Sequence, residues 1–148
     1  METMILKNKN GVLTIIFLFF CFQGIFAQGN AVYKFKGKIG GKYAIVMELN
    51  ATASWAGGSY YYVSQGSKKK LEVSGEPDYD NPEGARWILK EEVNGRYNGV
   101  FFLKWDRFSE YSRDGAMHIT GTYINVKKQQ FSVKLDAYDA YHYHGGRE

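Results

Sequence analysis

Cysteine is almost absent from this chain. The only one, Cys21, lies in an apolar stretch near the start. If that stretch is removed, the remainder has no disulfide, no thiol nucleophile and no thiolate metal site. Its stability then rests on packing and backbone hydrogen bonds. Histidine is nearly as scarce: His118, His142 and His144 are the only three. Only His118 falls in the body of the chain, in phase opposite to Met117 and Ile119, and it reads as an outward strand residue. No serine has an elbow-like setting, so Ser-His-acid catalysis lacks its parts. Glycoside hydrolysis needs two carboxylates at a set separation. Glu91 is an inward candidate, but nothing in the sequence places a second. No catalytic residue is assigned and no enzyme activity is expected. The formal charge is +4, and the only dense basic cluster is Lys68-Lys69-Lys70. A nucleic-acid binder carries a longer stripe, so the cluster reads as a solvated turn and no nucleic-acid partner is expected. No segment shows helical periodicity.

The first 27 residues have the pattern of a secretory signal peptide. Lys7 and Lys9 form a basic start, Leu13 to Phe22 is nearly all apolar, and Ala27 supplies a small residue at the cut. The apolar run is shorter than the ~20 residues of a transmembrane helix. Cys21 follows Phe20, a poor setting for lipid attachment. The expected organisation is therefore a signal peptide over 1–27, a β-barrel domain over 28–137 and a flexible tail over 138–148. The expected location is the periplasm or the exterior, with no membrane span after cleavage.

Alternation dominates the chain beyond residue 28. Tyr43, Ile45, Met47 and Leu49 share one face, as do Phe131, Val133 and Leu135. Eight strands are predicted, over 31–38, 42–51, 57–64, 69–75, 85–93, 96–105, 117–126 and 129–137. Asn94-Gly95 is the strongest hairpin signal. A plain two-residue turn there pairs Val93 with Arg96, Leu89 with Val100 and Trp87 with Phe102, and sets Glu91 opposite Asn98. That puts Glu91 on the inward face, where a carboxylate needs partners. Short connections alternate with longer ones over 52–56, 76–84 and 106–116. In an up-and-down meander the longer three share one end. The predicted fold is all-β, an eight-stranded antiparallel up-and-down barrel, whose closure removes exposed edges.

A series of short pieces carries a resemblance: Phe35-x-Gly37-x-Ile39, Ile45-x-Met47-x-Leu49, Gly58-x-Tyr60-x-Tyr62, Leu71-x-Val73-x-Gly75, Leu89-x-Glu91, Gly99-x-Phe101 and Gly121-x-Tyr123. In this order they resemble small exported bacterial barrels of Bacteroidetes type, lipocalin-like or avidin-like in build. The resemblance implies fold and export and assigns no activity. No biotin-pocket residue carries over.

The segment Glu76 to Gly84 holds four carboxylates, but Pro82 stands where a calcium loop needs a ligand, so it reads as a turn. His142 and His144, two apart, with Asp139, have metal-ligand chemistry, but the segment reads as a frayed terminus. No metal and no cofactor is expected. Binding has more support. The chain carries 12 tyrosines and 3 tryptophans, and such rings give contact area with a polar handle. The expected ligand-binding residues are Trp55, Tyr79, Arg107, Phe108 and Tyr111 at the long-loop rim, with Trp87 and Glu91 in the interior. The expected partner is an unknown small or extended ligand. The alternative is a protein-interaction module, such as an inhibitor of an exported hydrolase, and a third reading is a component of a surface assembly.

Overall fold

Consecutive strands with apolar residues on one face bury that face only by curling round it, and this chain does so. A computed structural model describes residues 30–105 and 117–143. Eight strands run as β1 (Asn30–Ile39), β2 (Tyr43–Ala51), β3 (Ala56–Tyr62), β4 (Leu71–Asp78), β5 (Arg86–Val93), β6 (Arg96–Trp105), β7 (His118–Asn125) and β8 (Gln130–Tyr143). Each pairs antiparallel with the next, and β8 closes on β1. The result is the up-and-down barrel that the alternation predicts. No helix among the described residues is long and apolar enough to cross a membrane. The signal-peptide expectation for 1–27 lies outside the described residues.

The interior is filled by the inward phase of every strand. Phe35, Met47, Leu49, Leu89, Phe101 and Leu103 are wholly buried, with Ile45, Ile119, Val133 and Leu135 almost so. Each such side chain contributes roughly 1.5–3 kcal/mol by leaving water. Curvature demands close strand contact at several points. A Cβ on Gly58 would collide with the Glu48 carbonyl on β2, so only glycine fits there.

The β5–β6 hairpin corrects the register expected from its turn. Asn94 and Gly95 both have positive φ, 52° and 73°, as a two-residue turn of this type requires. Val93 pairs with Arg96 and Glu92 with Tyr97, as the plain turn dictates. The register then slips, and Glu91 pairs with Gly99, Leu89 with Phe101 and Trp87 with Leu103. Asn98 is the extra residue of a β-bulge. The reason is parity: a one-residue shift moves a whole strand face. The plain register would put Phe101, Leu103 and Trp105 in phase with Ile88, outside. The bulge turns all three inward.

A second bulge corrects the end of β8. The sequence pattern predicts a strand that stops at residue 137, with the tail leaving from Tyr138. Instead β8 pairs with β1 as far as Asn30 opposite Tyr143. The alternation breaks at Tyr138 because the register skips it there. Tyr138 lies exposed on the outer wall with the Lys36 ammonium 4.5 Å from its ring centre.

The connections also differ from expectation. Strand β4 continues through Pro77 to Asp78, where the Arg86 Nε donates to Asp78 Oδ2 at 2.9 Å. Two of the four loop carboxylates thus belong to the strand. The β2–β3 connection is a compact turn over 52–55, in which Thr52 Oγ1 accepts from the Trp55 amide at 3.0 Å. The β3–β4 connection is longer, over 63–70, and starts with a 3-10 turn, Val63–Gln65. The two barrel ends therefore differ less in loop length than the sequence suggests. They differ in how the interior is finished.

Candidate ligand-binding site

Glu91 is the one buried charged residue among the described residues, with no exposed surface. Its place follows from the bulge. The slip keeps Glu91 inward and brings Asn98 beside it, so that Asn98 Nδ2 donates to Glu91 Oε1. From the neighbouring wall the Tyr60 hydroxyl donates to Glu91 Oε2. Tyr123 on β7 and Tyr62 on β3 stand close enough to feel the Glu91 charge. Gly99 permits this closeness, since a Cβ there would lie 2.5 Å from the Tyr123 hydroxyl. No buried side-chain polar atom among the described residues lacks a partner.

The tyrosines are held strongly in their neutral form. Burial pushes the Tyr60 phenol far above its ordinary range, and the hydrogen bond to Glu91 and the Glu91 charge push it further. Tyr123 rises for the same reasons, burial first. Tyr62 rises through burial first, although the neighbouring Tyr60 hydroxyl works the other way, and the Glu91 charge adds to the rise. The rings also interlock: Tyr60 and Phe101 have centres 5.3 Å apart, Phe101 and Tyr123 4.6 Å, and Tyr60 and Tyr62 5.6 Å.

This cluster is the floor of an opening at the end where β1–β2, β3–β4, β5–β6 and β7–β8 turn. A cavity of about 300 Å³ opens there, lined among others by Tyr43, Tyr62, Asn98, Tyr123 and Phe131. That is the low end of the size range for small-molecule sites. Tyr43, read as an inward residue from its phase, stands half exposed at this mouth because the strand begins there.

The structure separates the residues that sequence reasoning groups together. Trp55 and Tyr79 lie exposed at the opposite end, 44% and 46% accessible. Trp87 is in the core, 3% accessible, within an aromatic stack. Glu91 belongs to the tight-turn end. Arg107, Phe108, Tyr111 and His144 lie outside the described residues. His142 is in β8, in register with Ala31. His118 points outward and meets Asp136 at 2.6 Å on the barrel wall. Sequence reasoning misses Tyr60 as a partner of Glu91, and Tyr62 and Tyr123 as its neighbours. The available signal is phase: each shares the inward phase of its strand at the end that carries the Asn94-Gly95 turn.

At the loop end the described interior is filled by rings. Trp87 and Trp105 have ring centres 4.4 Å apart, and Tyr33 and Phe35 pack on Trp87 at 5.7 and 6.5 Å. The fold and the cluster define a closed antiparallel barrel with one end packed by rings among the described residues and one open, polar-floored end. Comparison with protein-family models and with curated protein sequences finds no match.

Proposed function

We propose that the protein is an exported, non-catalytic barrel that holds a small ligand in the mouth at its tight-turn end. The observation that carries this reading is the cavity standing directly over the Tyr60–Glu91–Tyr123 cluster. Rings give apolar contact area and a few converging polar atoms give orientation, which is how small-molecule sites are commonly built. The long-loop rim expected from sequence is a weaker candidate, because the described interior behind it is filled by Trp87, Trp105, Tyr33 and Phe35. The non-catalytic reading rests on Glu91. It is sealed from solvent, and both of its oxygens accept from neighbours, so it is poorly placed to exchange protons with a bound molecule. Export rests on the leader pattern of residues 1–27.

The test is native mass spectrometry of the protein purified from its own cell envelope. A bound small molecule is expected, and a Tyr62→Ala variant should lose it. Native protein that is empty, or a variant that retains the molecule unchanged, overturns the binding site. Intact-mass analysis of the same sample should find Gln28 as the first residue; a chain beginning at Met1 overturns export by cleavage.

The alternative, a protein-interaction module such as a hydrolase inhibitor, is favoured by Trp55 and Tyr79, two exposed rings at the loop end. Tyrosine and tryptophan are enriched in protein interfaces. Its test is a pull-down from the native envelope, in which a Trp55→Ala/Tyr79→Ala variant should fail to retain a protein that the parent retains.

A further inference from the structure

We propose that the tight-turn mouth takes a single sugar ring, its C–H faces against the aromatic lining and its hydroxyls on the side-chain amides. This rests on the binding reading above and adds the chemistry of the ligand.

Charge narrows the choice first. Glu91 lies below the mouth with no exposed surface, and its two oxygens accept from Tyr60 and Asn98. A cation would reach it only by displacing one of those donors. An anion would stand above a buried negative charge. Among the described lining residues the only charged one is Lys127, which is exposed on its turn, where water and salt screen it. A neutral ligand meets this setting at the least cost.

The polar lining is rich in amides, and an amide both donates and accepts. Asn98 gives one N–H to Glu91 Oε1 and keeps a second. Asn125 is fixed by its own turn: its Oδ1 accepts from the backbone N–H groups of Lys127 and Gln129, both at 3.0 Å. Its Nδ2 donates to Gln129 Oε1 at 2.9 Å. The Gln129 side chain is thus held by its oxygen, in a bond that uses neither of its own N–H donors. Asn98 and Gln129 are oriented before any ligand arrives. A hydroxyl, which donates and accepts, satisfies such groups; a ligand without hydroxyls leaves them unpaired.

Much of the remaining lining is aromatic: Tyr43, Tyr62, Tyr123 and Phe131. These rings do not form one flat surface. Tyr43 and Tyr62 meet edge to face, at 82° with centres 6.3 Å apart, and Tyr43 is half exposed. A flat heterocycle stacks on one plane. A pyranose is puckered, with C–H groups on both faces and hydroxyls around its edge, so it meets angled rings and amides together. A cavity of about 300 Å³, small for a ligand site, suits one such ring rather than a chain.

The experiment titrates the purified protein with methyl glucoside, methyl galactoside and methyl mannoside. Cyclohexanol, cyclohexylamine and uracil serve as comparators: a similar ring with one hydroxyl, the same ring with a cation, and a flat neutral heterocycle. Affinity is read by calorimetry and location by the NMR shifts of the Asn98 and Gln129 side-chain amides. At least one glycoside should move both amides and bind at least about tenfold more tightly than any comparator, a gap that one or two hydrogen bonds supply. Gln129→Ala alters an exposed turn residue and keeps its backbone N–H, so it should fold; glycoside binding should weaken about fivefold or more, and cyclohexanol binding should not change. A comparator that binds at these amides as tightly as the best glycoside overturns the sugar assignment and leaves the binding site standing. Unchanged glycoside affinity in Gln129→Ala also overturns it. If no glycoside moves the amides, the sugar assignment fails, while the site is judged separately by what co-purifies.

Discussion

The two ends of this barrel are built from the same material and finished in opposite ways. At the loop end, Tyr33, Phe35, Trp87 and Trp105 close ranks, ring on ring. At the tight-turn end, Tyr60, Tyr62, Phe101 and Tyr123 are just as aromatic, yet Tyr60 donates its hydroxyl to a buried carboxylate whose charge also reaches Tyr62 and Tyr123. Packing of the first kind stabilises by area and shape, and a cavity made there is simply empty. The second kind stabilises only while every partner is present, because a lone buried polar group costs more than its bond contributes. The comparison separates stability from binding: the packed end should govern the first, and the networked end both.

The sharpest way to break the comparison is at the packed end. Trp87→Ala should lower stability by about 3–5 kcal/mol, the usual loss for a buried ring, read as a shift of the denaturant midpoint. Ligand binding per folded molecule should not change. Loss of binding in folded Trp87→Ala protein would show that the ends are coupled. At the networked end, Glu91→Ala should cost about 3 kcal/mol, since Tyr60 and Asn98 lose their common acceptor. Here binding should fall as well, and a variant that keeps full binding would confine Glu91 to a structural role.

Gly99→Ala is a smaller and more local probe. The added methyl would fall on the Tyr123 ring, and overpacking of this sort costs about 1–3 kcal/mol. The phenol lines the cavity and should be displaced, so binding should weaken while Trp87 fluorescence stays as in the parent. A full-strength site in this variant would show that Tyr123 has room to adjust.

Much of this architecture can be read from residue order. The alternation of Ile45, Met47 and Leu49 and the Asn94-Gly95 turn define strands without any tertiary information, and eight such strands leave closure as the economical solution. The bulges at Asn98 and Tyr138 are not legible in the same way. A bulge has no local signature comparable to a turn; it is chosen by which phase buries more, and that depends on the facing strand. Both registers of the β5–β6 hairpin bring apolar residues together, and only the three-dimensional interior decides between them. The site is subject to the same limit. Phase alone marks Glu91 as an inward carboxylate in need of partners, and the hairpin brings Asn98 across from it. Its tyrosines come from β3 and β7, strands far away in sequence, and phase does not show that they converge. Loop length points to the opposite rim, where Trp55 and Tyr79 indeed lie, but loop length says nothing about whether the interior behind it is filled.

The mildest perturbation leaves the sequence intact and raises the pH. Tyr60 has its folded-state pKa raised well above the ordinary value near 10. Below that value the phenol is protonated in both folded and unfolded chains, and its contribution to stability is fully present. Above it the unfolded chain releases the proton while the folded barrel keeps it, so stability falls as pH rises toward the folded-state pKa. Tyr60 alone should remove about 1.4 kcal/mol per pH unit beyond 10, and Tyr62 and Tyr123 act in the same direction. Denaturant unfolding from pH 8 to 11, with tyrosinate absorbance followed in parallel, should show a decline that begins near 10 and steepens. A Tyr60→Phe variant starts from lower stability but should lose less of it over that range. Trp87→Ala leaves the Tyr60 and Asn98 bonds to Glu91 in place, so it should decline with the parent's slope from a lower start. A common slope in parent and Tyr60→Phe would mean that alkaline sensitivity arises elsewhere than in the cluster around Glu91.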